Sequence, residues 1–391
     1  MDTLRNTPES RREILRRRKI ERLKRERKRK LLIRRIIAGA ALLAFIAIIV
    51  VIITNAVSCA KKHKAAKTEA MGENITTDVV DSGRPHPDTA SIAKKPEPDF
   101  PFVNQNPIVD GMIKVGDTYF IAGYEANRTA STIYPPEEIS QSTYSVLINA
   151  STGEIVAAQN EKDRMYPASM TKVMTLLVAV EHIKDLDDTV YVSQEAADWS
   201  YSHDGSAVNW SVGEKITVRD LLYGCILSSG ADACYDLAVY VAGSLDGFVD
   251  LMNAKVDELG LSGSTHFTNC AGFYDDNHYT TVYDMALIMK AAAENDLCRE
   301  VMSAHTYTTP NTDEHPEGIL ISNWFLRRIE DKETKGEVLC AKTGFVSESG
   351  NCAVSYMLSD SGTPYLCCTG HAHSGWRAIY DHVGLYYNYT K

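Results

Sequence analysis

The sequence predicts an α+β fold, in which the first and last parts of one domain form an antiparallel sheet that is flanked by helices. Three observations indicate this arrangement. Strand-like patterns open the domain, helical periodicity dominates its middle, and strand-like patterns return only near its end. The long central stretch of helical pattern predicts an all-helical subdomain beside the sheet. We place this domain at residues 141–391.

The predicted strands share alternating or continuous apolar runs that are bounded by turn residues. They span residues 144–149, 154–159, 338–345, 351–358 and 365–371. Turn residues at 150–153 join the first two strands into a hairpin. A helix over residues 376–387 is expected to follow the last strand.

The middle of the domain has helical patterns of two kinds. Residues 169–183 predict a helix that is apolar nearly all round, which indicates burial between layers rather than a surface position. Thr217 and Asp220 have the spacing of a capping box and predict the start of another helix. Residues 284–293 predict a further, amphipathic helix. We therefore expect helix 169–183 to be the central helix of the fold.

The N-terminal part has a basic segment followed by an apolar one. Residues 1–35 carry a net charge of +11, which leaves −21 for the rest of the chain. Residues 36–53 are uncharged and almost wholly apolar, which is long enough to cross a bilayer as a helix. We expect a transmembrane helix over residues 36–54, with the basic segment in the cytoplasm and the rest of the chain outside. A cleaved signal peptide would have a shorter basic segment and a shorter apolar core, so an uncleaved anchor is favoured.

Two alternatives concern this region. Cys59 follows a sequence that is similar to a bacterial lipoprotein cleavage site, but Ala stands where Leu is usual and the apolar run is too long. The basic segment has the charge of a nucleic-acid or anionic-lipid binder. Next to a membrane span, its role as a topology determinant and lipid contact is favoured, and no nucleic-acid partner is expected.

Residues 55–140 predict an extracytoplasmic linker. Most of this stretch is rich in Lys, Pro, Thr, Asp and Ser and has few large apolar residues, so it cannot bury enough surface to fold alone. Within it, residues 112–124 alternate between apolar and polar around Gly116 and Asp117, which predicts one small hairpin of unassigned purpose.

Nine cysteines are scattered along the chain without a CxxC pair, so neither a zinc site nor a disulfide scaffold is indicated. Several lie in apolar runs, where cysteine behaves as a small buried residue. One or two disulfides remain an alternative if these cysteines lie outside the cell. His371 and His373 lie on one predicted strand, but no third ligand at suitable spacing accompanies them. No metal site is expected.

Ser169 and Lys172 place a hydroxyl and an amine one turn apart at a helix start, so both project from the same face. The amine can take the hydroxyl proton only when it is neutral, which requires burial or neighbouring positive charge to lower the pKa of a lysine from about 10.4. Ser91 and Lys94 have the same spacing but lie in the Pro-rich linker, where nothing holds the two groups together or excludes water. Context rather than spacing therefore selects Ser169 and Lys172.

Companion motifs supply this context. Ser229-Gly230-Ala231 lies in the helical region and Lys342-Thr343-Gly344 lies on a late strand, and in this order the motifs resemble those of the penicillin-recognising serine hydrolases. Four longer stretches resemble one branch, the low-molecular-mass penicillin-binding proteins that are serine-type D-alanyl-D-alanine carboxypeptidases. They are residues 166–172 (YPASMTK), 217–224 (TVRDLLYG), 277–281 (NHYTT) and 341–345 (AKTGF). The similarity covers about residues 143–390 and implies the β-lactamase/transpeptidase-like fold.

The resemblance implies a role for each motif residue. It makes Ser169 the acylated nucleophile, Lys172 its general base and Ser229 a second hydroxyl that relays a proton. The implied substrate-binding residues are Lys342, Thr343, Gly344 and Phe345. The Lys and Thr of this set would bind the substrate's terminal carboxylate. The backbone N–H groups of Ser169 and Phe345 would hold the oxyanion of the tetrahedral intermediate.

One position departs from the family pattern. The middle motif of the family usually reads Ser-x-Asn, whereas this chain has Ala231 in place of the Asn. The lost amide removes a polar contact of roughly 1–3 kcal/mol unless another group or a water replaces it. From the sequence, Ala231→Asn is expected to raise turnover.

The motifs predict a hydrolase that removes the terminal D-Ala from peptidoglycan stem peptides through an acyl-enzyme on Ser169, with β-lactam antibiotics as covalent inhibitors and no cofactor. The expected location is the bacterial cell membrane, with a single span and the catalytic domain outside. Two alternatives stay open. One is a catalytically weak or silent penicillin-binding-like scaffold protein at the cell wall; the other is a β-lactamase, although no Glu lies in the local pattern that β-lactamases use for deacylation.

Overall fold

The structure, a computed structural model, describes residues 100–104 and 106–391. They lie within one compact unit, Ala93–Lys391. The expected basic segment, the transmembrane helix and much of the linker lie outside the described residues, so those expectations stay predictions. Among the residues that the structure describes, no helix is long and apolar enough to cross a membrane.

The residues that the structure describes contain thirteen strands. In chain order they are β1 (Ile108–Val109), β2 (Met112–Val115), β3 (Thr118–Ile121), β4 (Asn127–Ile133), β5 (Tyr144–Asn149), β6 (Glu154–Gln159), β7 (Thr189–Tyr191), β8 (Lys215–Thr217), β9 (Thr306–Thr308), β10 (Leu320–Ser322), β11 (Gly336–Val346), β12 (Gly350–Ser359) and β13 (Pro364–Ala372). One small sheet has the order β1-β2-β3, and two others pair β7 with β8 and β9 with β10.

A six-stranded sheet forms the centre of the fold, in the order β11-β12-β13-β5-β6-β4. The predicted opening hairpin is confirmed as β5 and β6, and the three predicted late strands are confirmed as β11, β12 and β13. Strand β13 pairs antiparallel with β5, so the two ends of the domain meet inside one sheet as the sequence predicts. Strand β11, which carries the Lys-Thr-Gly motif, lies at the edge of this sheet.

Strand β4 was not predicted. It pairs with β6 in parallel, whereas all other neighbours in this sheet are antiparallel. Its residues before Ile133 are polar or small, and almost all of the strand is exposed at the sheet edge, so the sequence offers no apolar alternation to detect. The sheet therefore recruits a strand from within the stretch that the sequence assigns to the linker.

The helices surround this sheet and build the region between β6 and β11. They are α1 (Lys172–His182), α2 (Gln194–Ser202), α3 (Val218–Leu227), α4 (Ala231–Ala242), α5 (Leu245–Glu258), α6 (Val282–Glu294), α7 (Asp296–Ser303), α8 (Leu326–Ile329) and α9 (Gly375–Tyr389). A short 3-10 helix, Ala168–Thr171, leads directly into α1. The described residues thus form a mixed α and β fold, with an antiparallel sheet extended by one parallel edge strand.

Helix α1 is the buried central helix that its apolar sequence predicts, because its first nine residues are all buried. The predicted capping box is also present at the start of α3. The Thr217 hydroxyl accepts a hydrogen bond from the Asp220 backbone N–H at 3.1 Å, and the Asp220 carboxylate accepts one from the Thr217 N–H at 2.8 Å. Local sequence signals therefore set the start of α3.

Helix α6 differs from its prediction as an amphipathic helix, because all thirteen of its residues are buried. Its polar residues Lys290 and Glu294 form a buried ion pair, and the Tyr124 hydroxyl donates a hydrogen bond to Glu294 at 2.6 Å. The predicted hairpin is confirmed as β2 and β3, which pair antiparallel, and it packs over α6 through residues such as Phe120. The hairpin therefore covers the polar face of α6.

All eight cysteines within the described residues are buried free thiols. This agrees with their position in apolar runs of the sequence, where a thiol packs as a small apolar group.

Candidate active site

Ser169 and Lys172 lie on either side of the junction between the 3-10 helix and α1. The Lys172 ammonium nitrogen Nζ lies 3.0 Å from the Ser169 hydroxyl oxygen Oγ, and Lys172 is only 1% exposed. Ala168, immediately before Ser169, has a positive φ of 47°, which is uncommon for a residue with a side chain. The strained turn and the i, i+3 spacing together bring the two predicted groups into hydrogen-bond contact.

A main-chain carbonyl provides the second partner of Lys172. Its Nζ donates to the Ala271 carbonyl oxygen at 2.7 Å. The loop that carries Ala271 is organised by Asn269, whose side-chain oxygen accepts three backbone N–H bonds, from Ala271, Gly272 and Phe273. The Asn269 amide also donates to the Phe273 carbonyl at 3.0 Å. Asn269 therefore fixes the acceptor that orients the amine of Lys172.

His278 connects the Asn277–Thr281 motif to the helix that carries the nucleophile. Its Nδ1 accepts a hydrogen bond from the Thr268 backbone N–H at 3.0 Å, so the neutral ring carries its proton on Nε2. Nε2 lies 2.8 Å from the Thr171 hydroxyl, between Ser169 and Lys172 in sequence. Burial lowers the pKa of His278 to about 3, so it stays neutral at physiological pH. His278 therefore orders the site through hydrogen bonds rather than through charge.

Lys342 and Ser229 meet across the cleft. Lys342 Nζ donates to the Ser229 hydroxyl at 2.9 Å and to the Thr343 carbonyl at 2.9 Å. Ser229 lies in the turn between α3 and α4 with a positive φ of 55°. Burial, and next the positive charge of Lys172, lower the pKa of Lys342 to about 7. The positive charge of Lys172 is therefore close enough to act on Lys342.

The edge strand β11 passes directly beside the nucleophile. A methyl group on Gly344 would lie 2.8 Å from the Pro167 carbonyl oxygen and 3.0 Å from the Ser169 nitrogen, which is closer than real contacts allow. Glycine is thus required for this approach. Phe345 follows at the end of the strand with 62% of its surface exposed. The structure thus brings the Lys-Thr-Gly motif beside Ser169, while Lys342 of the same motif contacts Ser229 of the middle motif.

The cleft itself has a volume of about 520 Å³. Its walls come from the loop between α2 and β8, the end of α3 with the α3–α4 turn, strand β10 with the residues after it, and strand β11. They include Val208, Ser229, Ile321, Asn323, Trp324, Lys342 and Thr343. Asp232 holds one wall, because its buried carboxylate accepts the Val208 backbone N–H at 3.0 Å.

Ala231 occupies a packed position at the start of α4. Its side chain is fully buried. A methyl group placed on Gly205 would lie 3.0 Å from the Ala231 Cβ and 3.0 Å from the Phe273 ring. The Ala271 carbonyl already supplies an acceptor to Lys172. Lys172 therefore has a main-chain acceptor although residue 231 carries no amide.

This packing reverses the expectation for Ala231→Asn. The larger side chain must displace Gly205 or Phe273, so we expect the free energy of unfolding to fall by about 1–3 kcal/mol and turnover not to rise. Thermal unfolding and steady-state turnover measure both effects. Ala254→Asn, on the exposed surface of α5, is the matched control and should lower the free energy of unfolding by less than about 1 kcal/mol. A variant that is as stable as the wild type and faster would contradict this packing argument.

The sequence did not identify Asn269, the Ala271 carbonyl or Asp232 as parts of the site. Asn269 acts through backbone groups two to four residues ahead, a pattern that many surface turns share. The Ala271 carbonyl has no side-chain signature at all. Asp232 directly follows the Ser229-Gly230-Ala231 motif, and this adjacency was the one signal available.

Comparison with known proteins agrees with this geometry. A family model described as D-alanyl-D-alanine carboxypeptidase matches residues 129–362. The D-alanyl-D-alanine carboxypeptidase DacF of Bacillus subtilis is 36% identical over 173 residues, which are 43% of this chain and 43% of that protein. The D-alanyl-D-alanine carboxypeptidase DacA of Escherichia coli is 38% identical over 154 residues, which are 37% of this chain and 38% of that protein. The matched region thus spans about two fifths of the length of these relatives.

Solved structures have the same fold. The Streptomyces K15 DD-transpeptidase superposes with a TM-score of 0.58 and 25% identity, covering 65% of this chain and 97% of that one. A D-alanyl-D-alanine carboxypeptidase from Mycobacterium tuberculosis superposes with a TM-score of 0.57 and covers 66% of this chain and 94% of that one. Its identity is 23%, so this second likeness concerns the fold alone.

Proposed function

Because this chain belongs to the D-alanyl-D-alanine carboxypeptidase family, we propose that it removes the terminal D-Ala from peptidoglycan stem peptides through an acyl-enzyme on Ser169. The observation that carries the proposal is the contact between the buried Lys172 amine and the Ser169 hydroxyl at 3.0 Å, within reach of the Lys342 and Ser229 pair. β-Lactam antibiotics are proposed to acylate the same hydroxyl.

The proposed reaction uses only side chains and backbone groups of this chain. Neutral Lys172 takes the Ser169 proton, and Ser169 Oγ forms a bond to the carbonyl carbon of the penultimate D-Ala. The backbone N–H groups of Ser169 and Phe345 hold the oxyanion. As the C–N bond breaks, the proton passes through the Ser229 hydroxyl to the leaving amine, and D-alanine departs. Water then hydrolyses the ester on Ser169 by the same base.

The edge strand β11 is proposed to orient the substrate. The terminal carboxylate of the stem peptide binds the Lys342 ammonium group and the Thr343 hydroxyl. Lys342 is buried, so its charge is costly without a partner, and the carboxylate supplies one.

The direct test is mass spectrometry of muropeptides that end in D-Ala-D-Ala, after incubation with the protein. We expect loss of one D-alanine per stem peptide. Transfer of the acyl group to a second stem peptide instead would indicate a transpeptidase, and unchanged muropeptides would contradict the proposal.

The pKa of Lys342 predicts a pH dependence of substrate affinity. Lys342 is charged below about pH 7 and neutral above it, whereas the substrate carboxylate stays ionised throughout. Affinity for a D-Ala-D-Ala peptide should therefore fall as pH rises, by at least about tenfold between pH 6 and pH 8.5. Calorimetry on the Ser169→Ala variant measures binding without acylation. The same peptide with a C-terminal amide is the control, and an equal pH dependence for both peptides would contradict the assignment.

The location is proposed on the sequence alone. We propose a single transmembrane helix at residues 36–54, a cytoplasmic segment at 1–35 and, outside the membrane, the stretch predicted as a linker at 55–140 and the catalytic domain predicted at 141–391, whose sheet also includes β4 from that stretch. This arrangement would tether the catalytic domain to the bacterial cell membrane, within reach of the wall. Protease accessibility of the catalytic domain in intact protoplasts tests it.

A further inference from the structure

Two buried cysteines flank the turn that carries Ser229. Cys225 lies in the last turn of α3, and Cys234 lies in the first turn of α4. Their sulfur atoms Sγ are 3.2 Å apart, and neither side chain is exposed. We call these two residues the thiol pair. Because the turn with Ser229 joins the two helices, a bond between the two sulfurs would close a short loop around this turn.

The backbones of α3 and α4 come close together next to the thiol pair. A methyl group on Gly224, which precedes Cys225, would lie 3.2 Å from the Ala233 Cβ. The Gly230 N–H donates to the Gly224 carbonyl at 3.0 Å, so the turn is folded back onto the end of α3. The sulfurs of a disulfide are about 2.0 Å apart, so the two thiols need to approach by only about 1.2 Å. The fold therefore already places the two cysteines for a covalent link.

Other buried cysteines have different surroundings. The Cys270 thiol is directed at the Cys234 carbonyl oxygen, at 3.6 Å, rather than at a sulfur. Cys367 and Cys368 are neighbours on β13, but they belong to the cores on opposite faces of the sheet. The sequence leaves one or two disulfides open without choosing them. Proximity selects Cys225 and Cys234 from the cysteines that the structure describes.

We propose that Cys225 and Cys234 form a disulfide when the chain folds in an oxidising environment, and that this crosslink holds the turn that presents Ser229. The oxidant is a disulfide of another protein or of a small molecule. One cysteine thiolate attacks a sulfur of this disulfide, forms a mixed disulfide and releases the first thiol of the oxidant. The second cysteine then attacks the mixed disulfide, so the bond between the thiol pair forms and the second thiol leaves. The two cysteine protons and two electrons end on the two thiols of the reduced oxidant.

This reaction belongs to folding rather than to the folded protein. Burial raises the pKa of the Cys225 thiol well above its ordinary value, so little of the reactive thiolate exists once the core has closed. The same burial would shield the finished disulfide from reductants. The proposed location outside the membrane would supply an oxidising environment, whereas the choice of the pair rests on the geometry alone.

Thiol alkylation tests the pairing. The full chain is refolded in detergent with reduced and oxidised glutathione, denatured in iodoacetamide and cut with trypsin. Residues 220–255 form one tryptic peptide that contains the thiol pair and no other cysteine. We expect this peptide to be unlabelled before reduction and labelled at both cysteines after it. The tryptic peptide of residues 343–377, which includes Cys367 and Cys368, is the internal control and should be fully labelled without reduction.

Two labelling results would overturn the proposal. One is full labelling of residues 220–255 at every ratio of oxidised to reduced glutathione. The other is a crosslink from this peptide to the tryptic peptide of residues 256–290, because that peptide carries Cys270.

Thermal unfolding tests whether the crosslink stabilises the fold. Refolding with oxidised glutathione should raise the Tm of the wild type by about 5 °C, because the crosslink closes a loop in the unfolded chain. Cys225→Ala should have the same Tm after either refolding. Cys298→Ala also removes a buried thiol but leaves the thiol pair intact, so this matched control should keep the shift. No shift in the wild type, or an equal shift in all three proteins, would contradict the crosslink; if Cys225→Ala does not fold, the labelling of the wild type decides.

Hydrogen exchange tests the effect on the Ser229 turn. We expect the amides of residues 224–231 to exchange about tenfold more slowly in the oxidised than in the reduced protein, and those of α9 to exchange equally in both. Equal exchange of residues 224–231 in the two forms would overturn the role of the crosslink in holding the turn. None of these measurements needs turnover. The absence of penicillin labelling would therefore defeat the proposed function and leave the pairing to be decided by alkylation.

Discussion

Ser169→Ala is expected to abolish covalent labelling by fluorescent penicillin and to lower the release of D-alanine by at least about 10⁴-fold. The reason is that Ser169 Oγ is the atom proposed to form the ester. Lys172, its neighbour at 3.0 Å, has no other hydroxyl among its described partners, which are this hydroxyl and the Ala271 carbonyl. Gel fluorescence measures labelling, and chromatography measures released D-alanine.

Ser91→Ala is the matched control for this experiment. Ser91 and Lys94 repeat the Ser-x-x-Lys spacing in the predicted linker. The control variant should label and turn over like the wild type. Labelling that persists in Ser169→Ala would show that another residue is acylated, and a wild type that never labels at any penicillin concentration would favour the silent scaffold protein.

Gly272→Ala is expected to lower the free energy of unfolding by about 3–5 kcal/mol and to inactivate the fraction that still folds. Gly272 has a φ of +81°, and a methyl group there would lie 1.8 Å from the Ala168 carbonyl oxygen and 3.0 Å from the Ser169 nitrogen. Backbone atoms must move to relieve this overlap. The atoms nearest to it belong to the turn that holds the nucleophile.

Gly243→Ala is the matched control, because it introduces backbone strain without steric overlap. Gly243 ends α4 with a φ of +76°, but a methyl group there meets nothing within 4 Å. We expect the free energy of unfolding of this control to fall by only about 1–2 kcal/mol, because of the strained φ, and the variant to keep its penicillin labelling. Chemical denaturation of both variants measures the difference. Similar losses in the two variants would contradict the close approach of the Gly272 loop to the Ser169 turn.

Much of the central sheet could be predicted because its strands have strong local signals. The runs at 144–149 and 154–159 are apolar and bounded by turn residues, and the observed strands have the same bounds. Strand β4 has no such signal, since it is polar, exposed and paired in parallel with a strand that lies later in the chain. The burial of α6 was missed for a related reason: its polar face is covered by a hairpin that lies more than 150 residues earlier in the sequence.

The sequence by itself determined the reacting pair, because the companion motifs select Ser169 and Lys172 over Ser91 and Lys94, and the spacing of the selected pair places both groups on one helix face. It also determined the companion motifs and their order. Only the tertiary structure decided how these groups are held: the Lys342 contact to Ser229 spans 113 residues, and the Ala271 carbonyl reaches Lys172 across 99. Such contacts depend on how loops pack against one another. Because backbone carbonyls and fixed turns have no residue-type signature, a pattern of side chains cannot specify them in advance.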